Sequence, residues 1–439
     1  MSKKLKNCKD LFILLLILFK HGFNKNEIEI IMNKTISDKI IYTGTVYKID
    51  FYYLNYISEV IVNGIPANMN NYIDLLNNGL NSIIIKFNAQ LITCERMFYN
   101  LNNILSIDAS NFFSSNVKNM KEIFRLCTSL VSLNLNNFNT SSVTNMRYML
   151  KDCTSLVSLN LSNFDTSSVT DMSNLFNSCF SLASLNLNNF NTSSVTDMSY
   201  MFNDCSSLVS LNLSNFDTSS VTDMSYLFHC CFSLVSLNRN NFNTSSVTNM
   251  RAMFCVCYSL VSLNLNNFDT SYVTDMSLMF FSCDSIVSLN VNNFNTSSVR
   301  NMMQMFFQCL SLVSLNLSNF DTSSVTDMSY LFYSCSSLVS LHLNNFNTSS
   351  VTDMRYMLNN CHSLVSLNLS NFYVNISYIY DMFISCNKKL KYCIDDNKNY
   401  NFIDQLKDYE KNCKEICITF NSKKYIIEKN LCVDNCQAI

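Results

Sequence analysis

Leu130–Ser155 reads LVSLNLNNFNTSSVTNMRYMLKDCTS, and the same phrase returns down most of the chain. Phe112, Phe138, Phe164, Phe190, Phe216, Phe242, Phe268, Phe294, Phe320, Phe346 and Phe372 follow one another at intervals of 26 residues without a slip. Self-similarity at such a period marks an array whose units stack, because one unit alone cannot bury its apolar side. The skeleton is L-x-x-L-x-L-x-x-F-x-T-x-x-V-x-x-M-x-x-M-F-x-x-C. Leu133 and Leu135 alternate with Ser132 and Asn134, the period-2 pattern of a short strand with one buried face. Ser168 and Asp171 then have the spacing of a capping box. Behind them Val169, Met172, Leu175, Phe176 and Cys179 follow the spacing of one helix face. The expected fold is a mixed α/β repeat solenoid, with a parallel β-sheet on one face and short helices or 3₁₀ turns on the other. About eleven rungs spaced by roughly 4.8 Å make a core about 50 Å long. The block contains neither Gly nor Pro, so Asn, Asp and Ser must supply its turns.

The flanks divide the chain. Lys3, Lys4, Lys6 and Lys9 precede the apolar run from Leu11 to Phe19, a pattern that fits a secretion signal over residues 1–22 and is too short to span a bilayer. Residues 23–95 lack the period but alternate apolar and polar residues, as a β-rich cap would. The repeats occupy 96–386. From residue 387 a second small cap is expected, with Cys393, Cys413, Cys417, Cys432 and Cys436 as disulfide candidates; two C-x₃-C pairs in the same stretch have spacing that also admits zinc. No second long apolar segment occurs, so no membrane span is expected in the mature chain.

Charged residues make up only 14% of the chain and the net charge is −2. Phosphate binding needs clustered Lys and Arg, so nucleic acid is not an expected partner. Four His, no glycine-rich phosphate loop and no nucleophile beside a base at motif spacing leave no case for catalysis. No metal and no cofactor are expected.

A residue repeated on every rung stacks on itself, so each consensus position becomes a column. Cys127, Cys153, Cys179, Cys205, Cys231, Cys257, Cys283, Cys309, Cys335 and Cys361 form one column, expected to be free thiols because in-register side chains point the same way. Cys230 and Cys255 break that pattern and are the better places for an odd bridge. Asn160, Asn186, Asn212, Asn238, Asn264, Asn290, Asn316 and Asn368, with His342 between the last two, form an amide column able to bond along the stack. Arg239 takes a buried Leu slot and should distort its strand or reach for the edge. Variation gathers after the column Cys, at Phe180, Phe232, Tyr258 and Leu310, and two residues before it, at Phe281, Phe307 and Tyr333. Clustered aromatics mark contact sites, so these seven residues are the candidate partner-binding positions. The expected patch lies on the rungs from about 229 to 333.

The unit closely resembles the BspA-like leucine-rich repeats of bacterial and protist surface proteins, whose rungs read much like LNLSNFDTSSVTDMSYMF. That string stands almost letter for letter at Leu211–Phe228 and Leu315–Phe332. The resemblance covers roughly residues 92–386 and implies a leucine-rich-repeat fold and an extracellular or cell-surface protein. It also implies adhesion or recognition of a protein or glycan ligand. The alternative is an intracellular leucine-rich-repeat scaffold. A third reading is a surface-active solenoid, such as an ice-binding one, using the Thr-Ser-Ser column.

After each column Phe, Asn139, Asp165, Asn191, Asp217, Asn243, Asp269, Asn295, Asp321 and Asn347 alternate strictly. Duplication of a two-rung, 52-residue block accounts for the origin of the alternation, and electrostatics for its being tolerated. Carboxylates on adjacent rungs would stand about 5 Å apart, whereas intervening Asn doubles that to about 10 Å, near one Debye length. Changing the five intervening Asn to Asp should therefore lower the melting temperature more at low salt than at high salt. A salt-independent drop would exclude repulsion as its cause.

Overall fold

The computed structural model describes residues 26–34, 53, 55–67, 77–238, 242–343, 345–372 and 379–394, together with three short strand segments near the C-terminus. The 1–22 segment, Arg239, and Cys413, Cys417 and Cys436 lie outside the described residues, as does the side chain of Cys432. Cys393 is buried at the end of a strand.

The chain enters through antiparallel strands. β1 (Glu27–Lys34) pairs with β4 (Gly79–Phe87), which also pairs with β2 (Ile57–Val62), and β2 pairs with β3 (Ile65–Ala67). On its other edge β1 pairs with β5 (Ile104–Asp108), and there the direction changes, because β5 pairs in parallel with β6 (Ser132–Asn134). From β6 onward the chain is a parallel β-solenoid of about eleven turns. Most turns contribute a three-residue strand, Ser-Leu-Asn on nearly all of them. These pair in register with the residue 26 positions away in separate groups: Ser158–Asn160 with Ser184–Asn186, Ser210–Asn212 with Ser236–Asn238, and Ser314–Asn316 with Ser340–His342. The rungs at 262–264 and 288–290 form no strand.

The wall opposite the strands is also a ladder and not a row of helices. In the segment 146–153, Met149, Lys151 and Cys153 donate their N–H groups three residues back within the rung. The residues between them, Met146, Tyr148, Leu150 and Asp152, donate instead to the carbonyls of Asp171, Ser173, Leu175 and Asn177 on the next rung. Two positions of this segment carry positive φ on rung after rung, as at Tyr148 (57°) and Asp152 (65°), and such residues interrupt any helix. The physical reason is spacing. Strands stack about 4.8 Å apart, whereas an α-helix is about 10 Å wide. A wall that hydrogen-bonds at rung spacing has no room for helices. The Ser168–Asp171 pair accordingly caps no helix; Asp171 Oδ1 accepts the N–H of Ser173, 2.9 Å away.

Corners are made by side chains, as the missing glycines require. Asn160 Oδ1 accepts the Ser162 N–H, Asp165 Oδ1 accepts the Ser167 N–H, and Asp171 serves Ser173, so three such turns close one rung. The strand amides are thus spent mainly on their own backbone rather than on each other along the stack. Asp165 and Asn191 present the same acceptor to the same groups, so the alternation leaves the hydrogen bonding unchanged. Serine bonds hold the carboxyls of Asp165, Asp269 and Asp321 below the usual carboxylate range.

Inside, nearly every consensus apolar position is buried; the first strand leucine is only partly so at Leu133, Leu185 and Leu237. Phe176, Phe202 and Phe228 stack with centroids 5.6 Å apart, and the column Phe164, Phe190, Phe216 stacks at 6.2–6.5 Å. Each such ring contributes roughly 1.5–3 kcal/mol by burial. The ten column cysteines are free, as expected, but are more than small apolar fillers. Each thiol donates to a carbonyl of the preceding rung: Cys153 to Phe124 at 3.1 Å, Cys179 to Leu150 at 3.2 Å, Cys205 to Phe176 at 3.2 Å. Burial pushes these thiols up, to about 12 at Cys179 and Cys309, so they stay protonated. Cys230 and Cys255 are free as well, and no bridge joins them.

Buried threonines clip the rungs together. Thr218 donates to the Asn243 carbonyl at 2.6 Å and accepts the Asn243 N–H at 2.9 Å. Thr218→Val keeps the shape but orphans both groups and should cost about 1–3 kcal/mol in urea unfolding. The same change at exposed Thr222 should cost under about 0.5 kcal/mol; equal costs would refute the clip. In the unfolded, non-reduced protein every column cysteine should alkylate, and protection of any of them would refute the free-thiol column.

Candidate functional site

Because the interior is uniform, a site must be built from columns that face outward, and those that vary are the first to consider. The column after the cysteine runs Thr154, Phe180, Ser206, Phe232, Tyr258, Asp284, Leu310, Ser336, His362. Its apolar members are exposed: Phe180 by 45%, Phe232 by 39%, Tyr258 by 44% and Leu310 by 39%. Stacking brings Phe232 and Tyr258 into a ring pair 5.4 Å apart. It leaves Phe180 apart, separated by Ser206, and Leu310 apart, separated by Asp284. Burial raises the Asp284 carboxyl above its usual range.

A second column, two residues before the cysteine, runs Lys151, Asn177, Asn203, His229, Cys255, Phe281, Phe307, Tyr333, Asn359. Here Phe281, Phe307 and Tyr333 are half-buried and form one continuous stack, with centroids 4.5 and 4.8 Å apart. Tyr330 and Tyr356, 4.9 Å from each other, close against its end. The seven candidate residues therefore form two groups, a pair and a triple, and two singletons. Half-buried rings in contact have lower freedom and larger shared area than isolated surface rings, which suits them as anchors.

One exposed feature escapes the sequence reading. Val131, Val157, Val209, Val235, Val261, Val287, Val313, Val339 and Val365 form a column between 42% and 53% exposed. Strand parity alone puts Val131 with Leu133 and Leu135, facing inward. The chain bends after buried Leu130, and the strand begins only at Ser132, so the valine is turned out. Its near-invariance was the available signal: an apolar residue kept on every rung has a task, inside or outside. A row of this length exceeds the scattered apolar residues of an ordinary surface.

Comparison with protein families gives overlapping matches over residues 68–180, 92–208, 157–259, 233–315 and 307–422 to one family, described as "Mycoplasma protein of unknown function, DUF285". The chain belongs to this family. The DUF285 matches cover the repeats and run past them on both sides, into the antiparallel strands and the C-terminal segment. No curated protein matches the chain. Among solved structures, a TLR13–ssRNA13 complex is 15% identical, over 67% of this chain and 49% of that one, with a TM-score of 0.22. The chain thus spans about half the length of that relative. The functional domain of InlJ from Listeria monocytogenes, described as including a cysteine ladder, is 14% identical over 67% of this chain and 69% of that one, with a TM-score of 0.19. Among the described residues, no helix of this DUF285 member is long and apolar enough to cross a membrane.

Proposed function

We propose that this DUF285 member is a non-enzymatic recognition protein of the BspA-like leucine-rich-repeat kind, acting in adhesion at a cell surface or after secretion. The observation that carries this reading is the outward aromatic and valine columns. They lie along the stack and offer an extended partner many weak contacts in line. Each exposed ring contributes little alone, but contacts repeated at rung spacing add over a long partner. A protein segment or a glycan chain is the expected ligand, its apolar faces set on the rings and its polar groups on the Ser and Asn of the strands. Neither nucleic acid nor a cofactor is part of the proposal, and the secretion signal over residues 1–22 supplies the route outward.

The free thiols favour a second reading, an intracellular scaffold, since unpaired cysteines persist most easily in a reducing compartment. Locating the native protein and mapping the disulfides of Cys393, Cys413, Cys417, Cys432 and Cys436 separates the two. A cytosolic pool with these cysteines reduced selects the scaffold.

Replacing Phe232, Tyr258 and Phe307 together by Ser should reduce binding of the purified protein to host cells or extracellular matrix at least tenfold, with the circular dichroism of the folded chain retained. Undiminished binding would remove the aromatic columns from the proposal.

A further inference from the structure

The aromatic stack of the second column is preceded, one rung at a time, by Asn203, His229 and Cys255, while the neighbouring column places Asp204 beside Cys230. A carboxylate oxygen of Asp204, a ring nitrogen of His229 and the sulfur of Cys230 all lie within 4.8 Å of one another. We propose that Asp204, His229 and Cys230 form a binding site for a divalent transition metal of the zinc type.

The donor set is right for such an ion. Thiolate, imidazole and carboxylate are the three protein ligands of zinc chemistry, whereas calcium and magnesium take oxygen almost alone. Metal–ligand bonds of about 2.0–2.3 Å in a tetrahedron put neighbouring ligand atoms about 3.3–3.7 Å apart. Cys230 Sγ stands 3.4 Å from His229 Nε2.

The support around the ligands is built as well. His229 Nδ1 is held 2.6 Å from the Oδ1 of buried Asn203, which leaves Nε2 directed at the sulfur. The same carboxamide donates through Nδ2 to Asp204 Oδ2 at 2.9 Å and to Asn177 Oδ1 at 3.0 Å. One side chain thus orients two ligands, the arrangement that fixes ring tautomer and direction in metal sites. The backbone is equally constrained. Asp204 and Cys230 both have φ of 57°, and their N–H groups bond to the carbonyls of His229 and Cys255 on the next rung, at 2.8 and 2.9 Å. Two equivalent left-handed positions therefore project their side chains alike.

Charge balances on binding. The Cys230 thiol loses its proton to solvent as the sulfur–metal bond forms, and thiolate plus carboxylate neutralise the dication, with His229 neutral. All three ligands are half-buried, so a fourth position is within reach of solvent or of a partner's donor atom. The same Cys, His and Asn would serve a nucleophilic thiol, but a carboxylate next to the sulfur opposes the free thiolate. Burial and Asp204 hold the Cys230 thiol up, at about 12. A dication turns that repulsion into shared coordination.

Titrating the reduced, metal-stripped full chain with Co²⁺ should give the thiolate-to-cobalt charge-transfer absorption, which Zn²⁺ then displaces. Cys230→Ser should abolish the part of that absorption due to this site, and His229→Gln and Asp204→Asn should each weaken it at least tenfold. Zn²⁺ should raise the melting temperature of the parent chain by more than that of folded Cys230→Ser, which keeps the test independent of the C-terminal cysteines. Absorption and melting shift unchanged by Cys230→Ser would overturn the site. So would rapid alkylation of Cys230 at neutral pH, which would mark a reactive thiol, or a Cys230–Cys255 disulfide in protein kept from reductant.

Discussion

The structure depends on one constraint: successive rungs must stack at a single backbone spacing. The wall opposite the strands meets it on rung after rung, through N–H groups that reach the next rung and parallel bridges from Thr93 to Asp353. The strand wall meets it in shorter groups of paired Ser-Leu-Asn triplets. Once both walls share that spacing, residue n lies beside residue n + 26 from rung to rung, until the last one, where the interval shortens to 25 and Ser366 pairs with Lys391. Phenylalanine rings stack, thiols meet carbonyls of the preceding rung, and threonine hydroxyls meet carbonyls of the next.

The sequence displayed most of this plainly. The phenylalanine interval carried the architecture, the period-2 leucines carried the strands, and the lack of glycine pointed to the Asn, Asp and Ser corners that are found. The opposite wall was misleading for a definite reason. Val169, Met172, Leu175, Phe176 and Cys179 have helical spacing, but a train of tight turns advances its inward residues at almost the same interval. Periodicity cannot separate the two; the left-handed backbone at Tyr148 and Asp152 does, and nothing in those side chains announces it, since such conformations are ordinarily the province of Gly and Asn.

The candidate site was legible to a similar degree. Aromatic residues that break the repeat do face outward, and Phe281, Phe307 and Tyr333 join into one stack. Which rings touch was not visible residue by residue, because it depends on what stands on the intervening rung: Ser206 isolates Phe180, and Asp284 isolates Leu310. The valine column was hidden by strand parity. Asp204, His229 and Cys230 were hidden by linear distance, since an aspartate and a histidine 25 residues apart look unrelated until the rung register is applied.

That register has a consequence for how such a chain changes over generations. A crossover between misaligned copies of the repeat removes or adds whole rungs, and the new neighbours meet through the same backbone partners as the old ones. Copy number is therefore free to drift while each rung remains structurally interchangeable with the next. Single-rung events bring like members of the Asp and Asn alternation together, whereas double-rung events preserve it. A length polymorphism in steps of two rungs would be the genetic trace of that two-rung alternation.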